Sequence, residues 1–179
     1  DGGVSISRTA RTYPTFLIFK PSMFIASVLL IIYWLKTNNL INSYQNTKEL
    51  NNKFKTFGIL SAIFLIIHSI LLGVKFDYDL YKFFRRFVLL GFIIFEIVAQ
   101  SLLVIKFYKL KSIIINDINN YVLTLKIILV SILVVVAIFS LPIVVTSGNV
   151  HFKHALEWNY FVGVILFYLF SRFFWKRVS

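Results

Sequence analysis

Five apolar runs, each long enough to cross a bilayer as a helix rising about 1.5 Å per residue, constrain this chain more than any other feature. They span Phe16–Leu35, Phe57–Val74, Phe87–Ile105, Ile127–Val145 and Asn159–Trp175. Each is apolar on every face, which suits helices and not the short alternating strands of a barrel. The fourth is rich in Val and Ile. Lipid overrides their preference for strands, because the backbone must satisfy its hydrogen bonds within the segment. The reading is therefore all-α, a polytopic transmembrane helical bundle with five spans in one domain over residues 1–179. With 59% hydrophobic residues and a mean hydropathy of +0.83, the 179-residue chain lies outside the range of water-soluble enzymes.

The charge pattern fits the same reading. Nineteen basic and seven acidic residues give a formal +12, which in a soluble protein would point to nucleic acid. Here the basic residues flank the apolar runs, where they meet headgroups, and no basic stripe is interleaved with stacking aromatics, so nucleic acid is not expected as a partner. The absence of cysteine excludes disulfides, thiolate metal sites, iron–sulfur clusters and a cysteine nucleophile. Eleven Lys and Arg fall on the side of the C-terminus and eight on the other. That bias places the C-terminus in the cytoplasm and, across five spans, residue 1 outside. Asp1 is not an initiator methionine. A first helix upstream, making six spans, is favoured over a removed signal peptide.

Two polar groups stand out against the lipid. Glu96 lies mid-way along the third run, where a charged side chain costs about 2.5–3.5 kcal/mol. It must be protonated, paired or facing a wet cavity. Gln100 lies one turn on, and His68 sits at a comparable depth in the second run. His68, Glu96 and Gln100 can thus form an intramembrane polar network that titrates, binds a headgroup or staples helices. The second group, His151, His154, Glu157 and Trp158, precedes the fifth run. Helical spacing would align His151, His154 and Trp158 on one face, as contacts for a lipid headgroup or a protein partner. Two His and a carboxylate permit a metal geometrically, but the His-Glu-x-x-His order is missing and no metal is assigned. Interfacial anchoring by Trp and His is the plainer alternative.

Other features carry less. Pro142 is expected to kink the fourth span. Ser22/Ala26 and Gly58/Ala62 are small pairs that allow close helix approach. Lys20 and Lys126 can snorkel to headgroups. The polar stretch from Lys36 to Thr56 reads as a loop with a short interfacial helix, and Lys75–Arg86 as an amphipathic, aromatic lead-in to the third span. No phosphate loop, nucleophile elbow or Ser/His/Asp order is present, so no catalytic residue and no cofactor are assigned.

The stretch Ile6-Ser7-Arg8-Thr9, then Pro14 and Phe19 opening a span, resembles the first extracytoplasmic loop of the DRAM/Frag/Sfk family. His154-Ala155-Leu156-Glu157-Trp158 resembles the motif before that family's last helix. The sequence departs from the pattern at Arg8 (usually an acid), Ala10 (usually Gly) and Thr15 (usually Glu). The resemblance implies a six-helix protein with both ends cytoplasmic, whose relatives modulate autophagy, lipid asymmetry or the lipid of glycosylphosphatidylinositol anchors. Ser7, Thr9 and Pro14 would then shape the outer loop, and His154, Glu157 and Trp158 would lie at the outer mouth of the bundle near a lipid. The implied function is binding or handling of membrane lipid; the alternatives are an accessory subunit held by other membrane protein subunits and, more weakly, a small transporter. The family leaves enzyme against non-enzyme open, and the residues favour non-enzyme.

Overall fold

The computed structural model describes residues 13–45, 52–71, 78–145 and 150–176, without the side chains of 82, 141–150 and 153. The architecture is all-α. Its helices are α1 (Thr15–Gln45), α2 (Lys53–Leu71), α3 (Asp79–Lys109), the short α4 (Lys111–Ile114), α5 (Asn120–Val145) and α6 (Val150–Phe174). Four of them, α1, α2, α3 and the Asn120–Ser140 part of α5, are long and apolar enough to cross a membrane. The helix α6 has the length, but Glu157, Asn159 and Arg172 dilute its apolar run. These are the helices of an integral multi-pass membrane protein. Their outward faces support this as strongly as their length: Ile128, Ile132, Val135 and Phe139 of α5 are all at least half exposed. A helix in water would carry polar residues there.

The helices outrun the apolar runs. Where a loop is expected from Lys36, α1 continues to Gln45. Its added turns bury Thr37, Asn38 and Ile41 on the same stripe as Trp34, Leu30 and Ser27, so packing against α2 extends the helix beyond the apolar run. The other end of that contact is a carboxamide cluster. Asn52, just ahead of α2, donates from Nδ2 to Asn38 Oδ1 at 2.8 Å and to Asn42 Oδ1 at 3.1 Å. In the same way α3 starts two turns before Phe87, and α6 starts at Val150 instead of Asn159. Despite its Val and Ile content α5 is helical, and it runs through Pro142 to Val145.

Two compact units divide the chain after Ala99. In the first, α1 and α2 run antiparallel in one register: Trp34 meets Phe54 and Gly58, and Ser69 Oγ donates to Lys20 O at 3.1 Å. A Cβ on Gly58 would collide with the Trp34 indole, so glycine there is what lets the two helices approach. Of the two small-residue pairs, Gly58 and Ala62 are buried, whereas Ser22 and Ala26 are exposed. The first half of α3 lies against α2 through Phe95 on Phe57 and Phe64, and through Tyr81, whose hydroxyl donates to Leu71 O at 2.7 Å.

In the second unit α5 and α6 are antiparallel, with buried stripes at Leu123, Lys126, Val130 and Leu133 facing Tyr160, Gly163, Phe167 and Phe174. Two backbone bonds tie their ends: Asn119 N to Phe174 O and Lys176 N to Asp117 O, each 2.8 Å, around a bridge between Ile118 and Trp175.

Candidate functional site

The fully buried Glu96 on α3 faces Ser61 of α2, with Oγ and Oε2 2.5 Å apart. Ser61 Oγ also lies 2.8 Å from Gly58 O, one turn back on its own helix. His68, seven residues further along α2, is buried within electrostatic reach of Arg85, and its Nδ1 takes no hydrogen bond among the described residues. Glu96 therefore lies beside Ser61, and His68 lies two turns nearer the start of α3. The register explains this. Depths counted from the ends of the apolar runs assume that both helices end level, yet α3 begins at Asp79 and Tyr81 already pairs with Leu71. Gln100, one turn beyond Glu96 on α3, is also fully buried.

The second group falls on a continuous helix. His151 is exposed, His154 and Glu157 are half-buried, and Trp158 is 46% exposed with its ring edge-on to Phe161 at 6.2 Å. His151, His154 and Trp158 share one side of α6, whose opposite side buries Leu156 and Tyr160. No cluster of three or more metal-ligating side chains occurs among the described residues. Of the N-terminal motif, Ser7 and Thr9 lie outside the described residues. Pro14 is exposed, and its carbonyl accepts from Leu17 N at 3.0 Å as α1 begins.

A third constellation is new to the structure. Lys126 does not snorkel; it is fully buried. Its Nζ donates to Ser171 Oγ at 2.6 Å and sits over the rings of Phe167 and Phe174, at 4.2 and 5.2 Å from their centroids. An ammonium has three N–H donors, and one hydroxyl with two π-faces gives each a direction. The signal lies on α6, where Phe167, Ser171 and Phe174 recur at helical spacing, and not around Lys126 itself. Ser61 was equally easy to miss, since a lone serine in an apolar run is common in membrane helices.

No family model, curated protein or solved structure matches this chain.

Proposed function

We propose that this chain is a DRAM/Frag/Sfk-like membrane protein that binds or handles membrane lipid at the extracytoplasmic start of α6, through His154, Glu157 and Trp158 with His151 beside them. The observation that carries the reading is the unbroken helix Val150–Phe174, which sets imidazole, carboxylate and a half-exposed indole directly before an apolar stretch. Such a set suits a headgroup: the imidazoles meet phosphate, the carboxylate meets an ammonium, and Trp favours the membrane interface. The C-terminus is cytoplasmic in this proposal, following the Lys and Arg bias.

The test is native mass spectrometry of the gently solubilised protein, comparing wild type with His154→Ala and Glu157→Ala. A defined lipid at fixed stoichiometry, lost in the variants, is the expected result. Unchanged lipid co-purification in both variants refutes the site. A stoichiometric protein partner with only heterogeneous bulk lipid assigns the chain to a larger assembly as an accessory subunit. Loss of solute flux in Glu96→Gln, with the helices intact, favours a transporter.

A further inference from the structure

The Ser61 hydroxyl holds one proton and has two oxygens within reach, Gly58 O at 2.8 Å and Glu96 Oε2 at 2.5 Å. Five other helical hydroxyls donate to their own preceding turn, while Ser69 donates across to Lys20 O of α1. Ser22 donates to Ile18 O, Ser27 to Met23 O and Ser43 to Leu40 O, each at 2.7 Å, and Thr124 and Ser140 also bond carbonyls of the preceding turn. Ser171 is the nearest parallel: it donates to Phe167 O at 3.0 Å while its lone pair accepts from Lys126.

With the same arrangement at Ser61, the serine proton lies on Gly58 O and a lone pair faces Glu96. Two oxygens 2.5 Å apart need a proton between them, and only the carboxyl can then supply it.

We propose that Glu96 and Ser61 form a membrane-embedded proton-binding site, in which the Glu96 carboxyl donates to Ser61 Oγ and Ser61 donates to the Gly58 carbonyl. Residues within one turn of Ser61 on α2, or of Glu96 on α3, include no other titratable side chain. Lys53 and Lys55 lie toward the start of α2, His68 two turns along it, and Arg85 three turns back on α3. On α1, Lys36 is exposed, Tyr33 packs on Trp34, and Lys20 bonds Ile70 O at 3.4 Å. The proposal is independent of the lipid reading.

The test is infrared difference spectroscopy of the full chain in bilayers at neutral pH. The difference between wild type and Glu96→Gln should contain the carbonyl stretch of a carboxylic acid, shifted by deuterium exchange. A carboxylate antisymmetric stretch in its place overturns the proposal. Ser61→Ala removes the acceptor, so the acid band should persist at higher frequency. An unshifted band overturns the role of Ser61, and an absent one overturns the site. If Glu96→Gln does not assemble, the Ser61→Ala comparison decides alone.

Discussion

Replacing Lys126 by Met should leave the α5–α6 pair as stable as before, or more so, although it deletes a buried hydrogen bond and two ring contacts. A hydrogen bond from a charged donor contributes about 1.5–3 kcal/mol, which applies to the 2.6 Å contact with Ser171. A desolvated cation–π contact contributes about 2 kcal/mol, less for Phe174 at 5.2 Å than for Phe167 at 4.2 Å. These gains roughly offset the several kcal/mol that taking an ammonium out of water costs. Met removes both sides of the balance and keeps the apolar stem. The net change should be within about 1 kcal/mol, or up to about 4 kcal/mol in favour of the variant.

Removing a wall of the cage has the opposite character, because the charge stays. Phe167→Leu keeps an apolar side chain, a swap that alone costs under about 1.5 kcal/mol. With Lys126 present it also loses the ring face, so the cycle between the two positions should show coupling of about 1–2 kcal/mol. The assay is reversible unfolding of the detergent-solubilised chain by sodium dodecyl sulfate, followed by far-ultraviolet circular dichroism. It covers wild type, both single variants and the double variant. Equal cost of Phe167→Leu with and without the lysine would refute the cage. So would a loss above about 2 kcal/mol for Lys126→Met, because the offset argued here allows no such net stabilisation by the charge.

Two further perturbations probe the first unit. Gly58→Ala should destabilise the α1–α2 contact by about 1–3 kcal/mol, because overlap with the Trp34 indole outweighs the better helix propensity of alanine. Combining it with Trp34→Leu should cost less than the sum of the two changes, and additive losses in the same unfolding assay would count against the close approach. Asn52→Ala should cost about 1–2 kcal/mol, and Asn52→Asp more, although aspartate is as good a helix cap. The carboxylate would face the Oδ1 acceptors of Asn38 and Asn42 where a donor now sits. Faster amide hydrogen exchange at Lys55 and Thr56, larger in the Asp variant, is the readout.

The helices were legible because lipid permits few alternatives: an apolar run of spanning length must satisfy its own backbone, and even Val- and Ile-rich α5 does so as a helix. Their ends were not legible, since tertiary contacts determine them. The Asn52 cluster and the Trp34 stripe carry α1 ten residues past Leu35, and the Tyr81 bond to Leu71 marks a start for α3 well before its apolar run. The helical alignment of His151, His154 and Trp158 follows from spacing alone, so it could be read in advance.

The two buried charge-bearing groups show where reading by residue type stops. Glu96 is conspicuous because its short side chain, mid-run, cannot reach water. Lys126 stands at the edge of its run, where a long stem appears able to reach headgroups, and snorkelling is the natural inference. What overrides that inference lies about 45 residues away in sequence, in a second helix whose Phe167 and Phe174 faces and Ser171 hydroxyl replace water around the ammonium. Each group meets a serine on the adjacent helix, Ser61 for Glu96 and Ser171 for Lys126, and each serine lies within reach of a carbonyl on its own preceding turn. A hydroxyl whose proton goes to its own helix turns only lone pairs outward. It can then accept from an ammonium or from a carboxylic acid, but it gives nothing to a carboxylate. That single constraint lets the same residue type receive a bond from a cation in one unit and from a neutral acid in the other.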